Sequence, residues 1–235
     1  MKRGEVAVVL PALDEEGSVG DVVRGFLAQG VRVIVVDNGS RDRTASRAAE
    51  AGAEVAEEPR RGYGRACLNG ISYLAIAPDP PEIVVFADCD GSLDPRDLPR
   101  LLTPIQEGVG DLVVGRRVPV GPLALPAHQR AGNRSVVLLL HALYGLRLHD
   151  VSSFRALRFS LVPSLALSET TYGLPVEMLV RAALCGARVR EVDVTCRPRQ
   201  SGRSKVSGHA GATIRAFLRM VRVGVALRLS ASEGG

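Results

Sequence analysis

The sequence predicts an α/β protein with a mostly parallel central sheet flanked by helices, and three observations carry that prediction. Apolar runs of strand length alternate with segments of helical periodicity from Val6 to Val114. Turns rich in Gly, Asp, Asn and Ser separate them. The chain has 235 residues, 46% hydrophobic and 23% charged, which suits one large domain better than two small ones.

Val6 to Leu10 reads as the first strand and stops at Pro11. Ser18 to Gln29 has helical spacing, with Ser18 in the N-cap position. Val31 to Val36 is a second strand, Asp37-Asn38-Gly39-Ser40 a turn, Thr44 to Ala51 a helix and Ala53 to Ala56 a short third strand. Gly62-Tyr63-Gly64 opens a helix that runs to Ala75. Ile83 to Phe86 is a buried strand, Pro95 to Glu107 a helix and Asp111 to Val114 a further strand. Beyond these, Glu177 begins a helix, and Val189 to Cys196 is a strand leading into a Gly-containing loop. Residues 1–208 are expected to form one domain, 209–229 an amphipathic helix and 230–235 a disordered tail. On that helix Ile214, Phe217, Leu218, Val221 and Val225 fall on one side beside an Arg215, Arg219, Arg222 stripe.

Composition narrows the function. The net charge is +5, and from Arg188 onward ten basic residues face only Glu191, Asp193 and Glu233, so this region wants an anionic partner. Nucleic acid is a poor fit, because the chain lacks Trp, has few aromatics to stack on bases and carries no recognition-helix or zinc signature. The amino terminus does not resemble a signal peptide, and no run of ~18 uncharged apolar residues exists to span a bilayer. Cys67, Cys89, Cys185 and Cys196 are scattered, as expected for reduced thiols in a cytoplasmic protein. No G-x-G-x-x-G follows the first strand, which excludes a dinucleotide-binding dehydrogenase.

The chemistry concentrates at F-A-D-C-D-G-S-L-D, residues 86–94. Asp88 and Asp90 leave the carboxyl end of a strand, where open α/β sheets bind ligands. Side chains two apart on extended backbone point the same way, so both carboxylates can reach one hard divalent cation. Asp-x-Asp-Gly is also ordinary turn chemistry.

Taken together, P-A-L-D-E-E (11–16), V-V-D-N-G-S-R-D-R-T (35–44), R-G-Y-G-R-A (61–66), A-D-C-D (87–90), V-G-R-R (114–117), H-D-V-S-S-F-R (149–155), Y-G-L-P-V-E-M (172–178) and R-P-R-Q-S-G-R-S-K (197–205) resemble, in order, the motifs of family 2 glycosyltransferases of the GT-A fold. Within that family the match is to the dolichyl- or polyprenyl-phosphate sugar synthases without transmembrane helices. The resemblance implies that Pro11, Leu13, Glu15 and Asp37 line the base and ribose pocket, that Arg61 reaches the nucleotide, and that Asp88 and Asp90 hold Mg²⁺ or Mn²⁺ against the diphosphate of a GDP- or UDP-sugar. Arg117 and Arg130 would grip phosphate, and Arg199 and Lys205 would supply charge from a loop above it. Asn133, Asp150, Ser153, Arg155 and Glu177 would shape the acceptor side. Leu13 replaces the family's Tyr, Asp14 its Asn and Ser153 its Gly, and Tyr172-Gly173 reverses its order.

The implied activity is an inverting, metal-dependent transfer of a sugar to polyprenyl phosphate by a peripheral protein at the cytoplasmic face of the membrane, alone or with a membrane-protein partner. A phosphate acceptor is already ionised at neutral pH and needs no base. A hydroxyl acceptor on a lipid or glycan would need one, with Glu177 or Asp150 as candidates. An inactive sugar-nucleotide-binding module that recruits partners to a membrane is the non-enzymatic alternative, and the intact carboxylate pair argues against it.

Overall fold

The computed structural model describes residues 5–121, 124, 126–200 and 210–233. The described chain runs β1 (Val6–Ala12), α1 (Val19–Leu27), β2 (Arg32–Asp37), α2 (Thr44–Glu50), β3 (Glu54–Glu57), α3 (Tyr63–Ala75), β4 (Ile83–Phe86), α4 (Leu98–Gln106), β5 (Leu112–Pro119), α5 (Ala127–Tyr144), β6 (Arg155–Arg158), α6 (Val162–Leu165), α7 (Leu174–Leu184), β7 (Val189–Cys196) and α8 (Ala210–Glu233). A 3₁₀ turn at Pro95–Asp97 leads into α4. The sheet order is β3-β2-β1-β4-β6-β5-β7.

The central strands β1 and β4 are apolar at every position, and β2 is apolar between its end residues Arg32 and Asp37, because both faces of the sheet are covered there. Ala7, Val9, Ile34, Val36, Val84 and Phe86 point to one side, where they meet α3, α5, α7 and α8. Val6, Val8, Leu10, Val33, Val35 and Val85 alternate to the other side, against Phe26 of α1 and Leu98, Leu101 and Ile105 of α4. The expected β1 to β4 and α1 to α4 hold to within three residues, whereas β5 continues past the expected end at Val114 to Pro119. Ser18 does occupy the N-cap of α1, yet its hydroxyl bonds to Glu15 rather than capping the helix.

One strand runs against the rest. β6 is antiparallel to both β4 and β5, whereas the other pairs are parallel. Parallel strands bring their carboxyl ends to one rim of the sheet, which carries Glu15, Asp88, Asp90 and Arg117 there. The reversed β6 brings the segment before it, residues 149–154, to that same rim. The sequence offers little warning of this, since Arg155–Arg158 is four residues long with an arginine at each end. Helix α5 was likewise not anticipated as an element. The terminal helix extends past Leu229 to Glu233, into the segment expected to be a disordered tail.

Two glycines set how closely α3 approaches its neighbour. A Cβ on Gly64 would stand 2.2 Å from the Glu169 carbonyl oxygen, and one on Gly62 would stand 2.4 Å from that of Thr170. The bare backbone lets the Arg65 N–H donate to the Thr170 carbonyl at 3.1 Å. Gly64→Ala is therefore expected to cost about 3 kcal/mol, the upper end of overpacking penalties, read as a lower denaturation midpoint at unchanged m-value. An unchanged midpoint would show that the 169–170 segment yields.

Candidate active site

At the carboxyl-terminal rim of the sheet lies a cavity of about 1000 Å³. Its floor is acidic. Asp90 is buried and Asp88 partly so, and the Ser153 hydroxyl donates to Asp88 Oδ2 at 2.7 Å. Asp90 Oδ1 accepts the Ser92 N–H at 2.8 Å, so the turn geometry that Asp-x-Asp-Gly suggested is present and coexists with a shared site. Burial first, and the neighbouring Asp90 second, raise the Asp88 carboxyl above the ordinary range. Glu15 is raised as well, mainly by burial, with Arg199 working in the opposite direction.

Arg199, beyond the end of β7, bridges this floor. Its guanidinium donates to Asp90 Oδ2 at 2.7 Å and to Glu15 Oε1 at 2.5 Å. The second basic group is Arg117, on the carboxyl-terminal half of β5. It lies in a two-pronged pair with Asp150, at 2.8 and 2.7 Å, and its backbone N–H also donates to that carboxylate. Burial opposes the Arg117 charge, and Asp150 overrides it to hold the pKa above the ordinary value. Arg116 points away and pairs with Asp193.

Asp150 is itself fixed from both sides. Glu191 accepts the His149 and Asp150 N–H groups at 2.7 and 2.9 Å. Asn133 of α5 donates to the His149 carbonyl and accepts the Val151 N–H. The far wall is apolar, built from Val136, Val151, Tyr172, Ala216, Phe217 and Met220. Tyr172 stacks on Tyr63, with ring centres 6.2 Å apart.

A profile of glycosyl transferase family 2 matches residues 7–165, more than half of the chain. The chain belongs to glycosyl transferase family 2. It is 43% identical over 218 residues to an uncharacterized glycosyltransferase of Mycobacterium tuberculosis, covering 93% of this chain and 97% of the relative. It is 35% identical to the dolichyl-phosphate hexose transferase of Haloferax volcanii, over 88% of this chain and 89% of that one. The undecaprenyl-phosphate mannosyltransferase of Micrococcus luteus is 33% identical over 95% of each chain. Among solved structures, glucosyl-3-phosphoglycerate synthase from Mycobacterium tuberculosis with Mn²⁺, UDP and glucosyl-3-phosphoglycerate superposes with a TM-score of 0.72 at 25% identity, over 95% of this chain and 79% of that one. The fold of this glycosyltransferase is GT-A.

The structure gathers Pro11, Leu13, Glu15, Arg61, Asp88, Asp90, Arg117, Asn133, Ser153 and Arg199 around the one cavity. Others from the sequence reading stand elsewhere. Asp37 is not among the lining residues; its carboxylate accepts the Ser40 N–H in a turn, and Asn38 beside it reaches the cavity. Asn38 ties down the loop at 58–62, donating to the Glu58 and Arg60 carbonyls and accepting the Gly62 N–H. Arg130 is exposed on α5, a turn before the lining residue Asn133, and does not share the cavity with Arg117. Lys205 lies outside the described residues.

Three acceptor-side expectations become framework. Arg155 is buried behind the cavity, donating to the carbonyls of Ser152 and Pro175, and burial lowers its pKa. Glu177 is buried on α7, where its carboxylate accepts the N–H groups of Ser168 and Glu169, the Ser168 hydroxyl and Arg181 Nε. Asp150, buried and clamped to Arg117, supports the cavity from behind. Among the lining residues that the sequence reading did not assign to the site are Asn38, Tyr63, Ala216 and Met220; Tyr172 was quoted only for its exchanged order with Gly173, and Phe217 was read only as part of an amphipathic helix. Asn38 sits inside a motif already quoted, but nothing in the sequence says that α8 folds back onto α5.

Among the described residues no three acidic, His or Cys side chains converge as a metal cage. Asp88 and Asp90 nonetheless fit a hard divalent cation, since their oxygens are the right donor type and, after burial, the neighbouring Asp90 charge is what raises the Asp88 carboxyl. The remaining ligands would have to come from a diphosphate and water.

Two outcomes follow from this geometry. Because Asp88 binds its proton more tightly folded than unfolded, ionising it costs stability as the pH climbs from the ordinary carboxylate range toward neutrality. Mn²⁺ affinity should rise over that interval, with proton release seen by calorimetry in two buffers; a flat profile would exclude Asp88 as a ligand. Glu177→Gln should lower stability by about 3 kcal/mol through the donors it leaves poorly matched, while the pH profile of transfer keeps its shape. A lost acidic limb in that profile would instead make Glu177 a base.

Proposed function

We propose that this glycosyltransferase moves a sugar from a nucleotide diphosphate donor to a polyprenyl phosphate. The observation that carries the reading is the two-ended cavity. Its polar end presents Asp88, Asp90, Arg117 and Arg199, and its apolar end is walled by Val136 of α5 and by Ala216, Phe217 and Met220 of α8. A phosphate head with an isoprenoid tail matches that division of surface. Relatives named for transfer to dolichyl and undecaprenyl phosphate support it.

In this reading Pro11, Leu13, Glu15 and Arg61 line the nucleotide side, and Asp88 and Asp90 hold Mg²⁺ or Mn²⁺. A bound divalent cation supplies charge neutralisation for the departing nucleoside diphosphate. Arg117, kept in place by Asp150, presents its guanidinium to the acceptor phosphate. The ionised phosphate oxygen attacks the anomeric carbon while the carbon–oxygen bond to the diphosphate breaks, which inverts the configuration and transfers no proton. Glu177 and Asp150, the bases that a hydroxyl acceptor would require, are both committed to other partners.

The test is transfer from a panel of GDP- and UDP-sugars to polyprenyl phosphate and to the matching polyprenol. Product with the phosphate alone is expected, together with near-complete loss of turnover in Asp90→Asn at unchanged melting temperature. Product with the free alcohol would favour the hydroxyl reading, and full activity in excess chelator would remove the cation. Arg117→Ala is expected to impair acceptor kinetics far more than donor binding, and Arg130→Ala much less than Arg117→Ala.

Access to such an acceptor fits a peripheral membrane position. No described helix is long and apolar enough to cross a membrane. Helix α8 instead has two apolar faces. Ala216, Phe217, Met220 and Val223 turn inward, while Ile214, Leu218, Val225 and Leu229, 38–60% exposed, form an outer stripe. This revises the single apolar side expected from the sequence. Arg219 is also drawn off, into a 2.6 Å ion pair with Glu169, which leaves Arg215 and Arg222 beside the stripe. At about 1 kcal/mol for each basic residue near an anionic surface, the two amount to roughly thirtyfold in partitioning. Co-sedimentation with vesicles rich in anionic lipid should fall by that factor in an Arg215→Ala, Arg222→Ala variant and should weaken in high salt. Equal sedimentation of variant and wild type would mean that a membrane protein brings the enzyme to its acceptor.

A further inference from the structure

Arg199 stands where a cation would be needed, and it is attached to a segment zipped onto the Asp88–Asp90 turn. Arg197 N–H donates to the Ser92 carbonyl at 2.7 Å, Gln200 N–H to the Asp90 carbonyl at 3.0 Å, and Cys196 forms a bridge with Leu93. Gln200 also packs over Gly91, with its side chain 2.6 Å from where a Cβ would be. These contacts aim the Arg199 guanidinium between Glu15 and Asp90 and set its position.

The oxygens a cation would use are largely taken. Asp88 Oδ2 accepts from Ser153, Asp90 Oδ1 from Ser92 N–H and Asp90 Oδ2 from Arg199. Only the last of these partners is a charge. Arg199 Nε, by contrast, is buried with no acceptor among the described residues. A buried donor without a partner is uncommon and points to a group that belongs there in another state. A diphosphate oxygen has the required chemistry, and guanidinium forks suit it.

We propose that Arg199 is an internal stand-in for the divalent cation, so that cation and nucleotide diphosphate must enter together. The cation takes Asp90 from Arg199, and the diphosphate takes Arg199 from Asp90. A metal ion alone has to displace a charge-assisted hydrogen bond and leave a guanidinium beside a new dication. A nucleotide alone meets three carboxylates. Each ligand removes the obstacle to the other, which by linkage makes their binding mutually cooperative. The inference rests on the reading of Asp88 and Asp90 as the cation ligands.

Mn²⁺ binding measured by electron paramagnetic resonance, with and without UDP, tests both layers. Wild type is expected to bind Mn²⁺ weakly alone and more tightly with UDP. Arg199→Gln should bind Mn²⁺ alone roughly tenfold more tightly, the worth of one charge-assisted contact, and gain less from UDP. Arg199→Lys, which keeps the charge, should behave like wild type. Mn²⁺ affinity in Arg199→Gln no higher than in wild type overturns the stand-in. If Asp90→Asn binds Mn²⁺ as tightly as wild type, the carboxylate pair is not the cation site, and that reading fails instead. A readout on the unmodified protein guards against misfolded variants: the Arg199 Nε–H resonance should shift on addition of Mg²⁺ and UDP together, as the proton acquires an acceptor. No shift on saturation with both would equally overturn the proposal.

Discussion

Glu15, Asp88 and Asp90 share the floor of one cavity, and their mutual repulsion is the constraint around which the rest of the site is arranged. Each arrives from the carboxyl end of a strand, so the parallel sheet itself creates the conflict. Burial sharpens it, because like charges repel more strongly where water is scarce. Burial first, with the neighbouring Asp90 adding to it, raises the pKa values of Asp88 and Glu15. The neighbouring groups answer it by hydrogen bonds and charge: Ser153 on Asp88, Ser92 N–H on Asp90, and Arg199 across Asp90 and Glu15.

A second layer of fixed groups holds Arg117 against a different carboxylate, so its charge reaches Asp88 only through space. Asp150 claims its guanidinium, and Glu191 and Asn133 immobilise the backbone that carries Asp150. The Arg117 guanidinium is thus held by its own counter-ion, apart from the acids of the floor. The antiparallel β6 makes this division, since reversing one strand delivers residues 149–154 to the rim that the parallel strands already occupy.

The sequence disclosed the frame of this site better than its closure. Apolar runs at Val6–Leu10, Val31–Val36 (broken only by Arg32) and Ile83–Phe86 identified β1, β2 and β4, because a strand buried on both faces has no polar alternation to confuse it. Asp88 and Asp90 were legible through their place after such a strand. Glu177 and Arg155 were not, since a charged residue in a motif looks the same in a sequence whether it faces substrate or anchors backbone. The difference lies in partners contributed from distant positions, Ser168 and Glu169 in one case and the Pro175 carbonyl in the other. Helix α8 illustrates the same limit. Its apolar residues were visible, but two opposed apolar faces on one helix blur into a single broad side until the neighbours α5 and α7 are known.

Those two faces make α8 a shared wall. The Tyr144 hydroxyl donates to the Gly224 carbonyl at 2.5 Å, and Val223 and Gly224 pack against α7 and α5, so the helix closes the core beside Val176 and Leu140 while its inner residues line the cavity. Shortening the protein before Ala210 to improve its handling would therefore uncover core and dismantle one side of the binding cavity at once. By the same logic, whatever seats itself on the outer stripe leans on a wall of the reaction chamber, and the surface chemistry outside this enzyme and the shape of the space inside it are set by the same twenty-four residues.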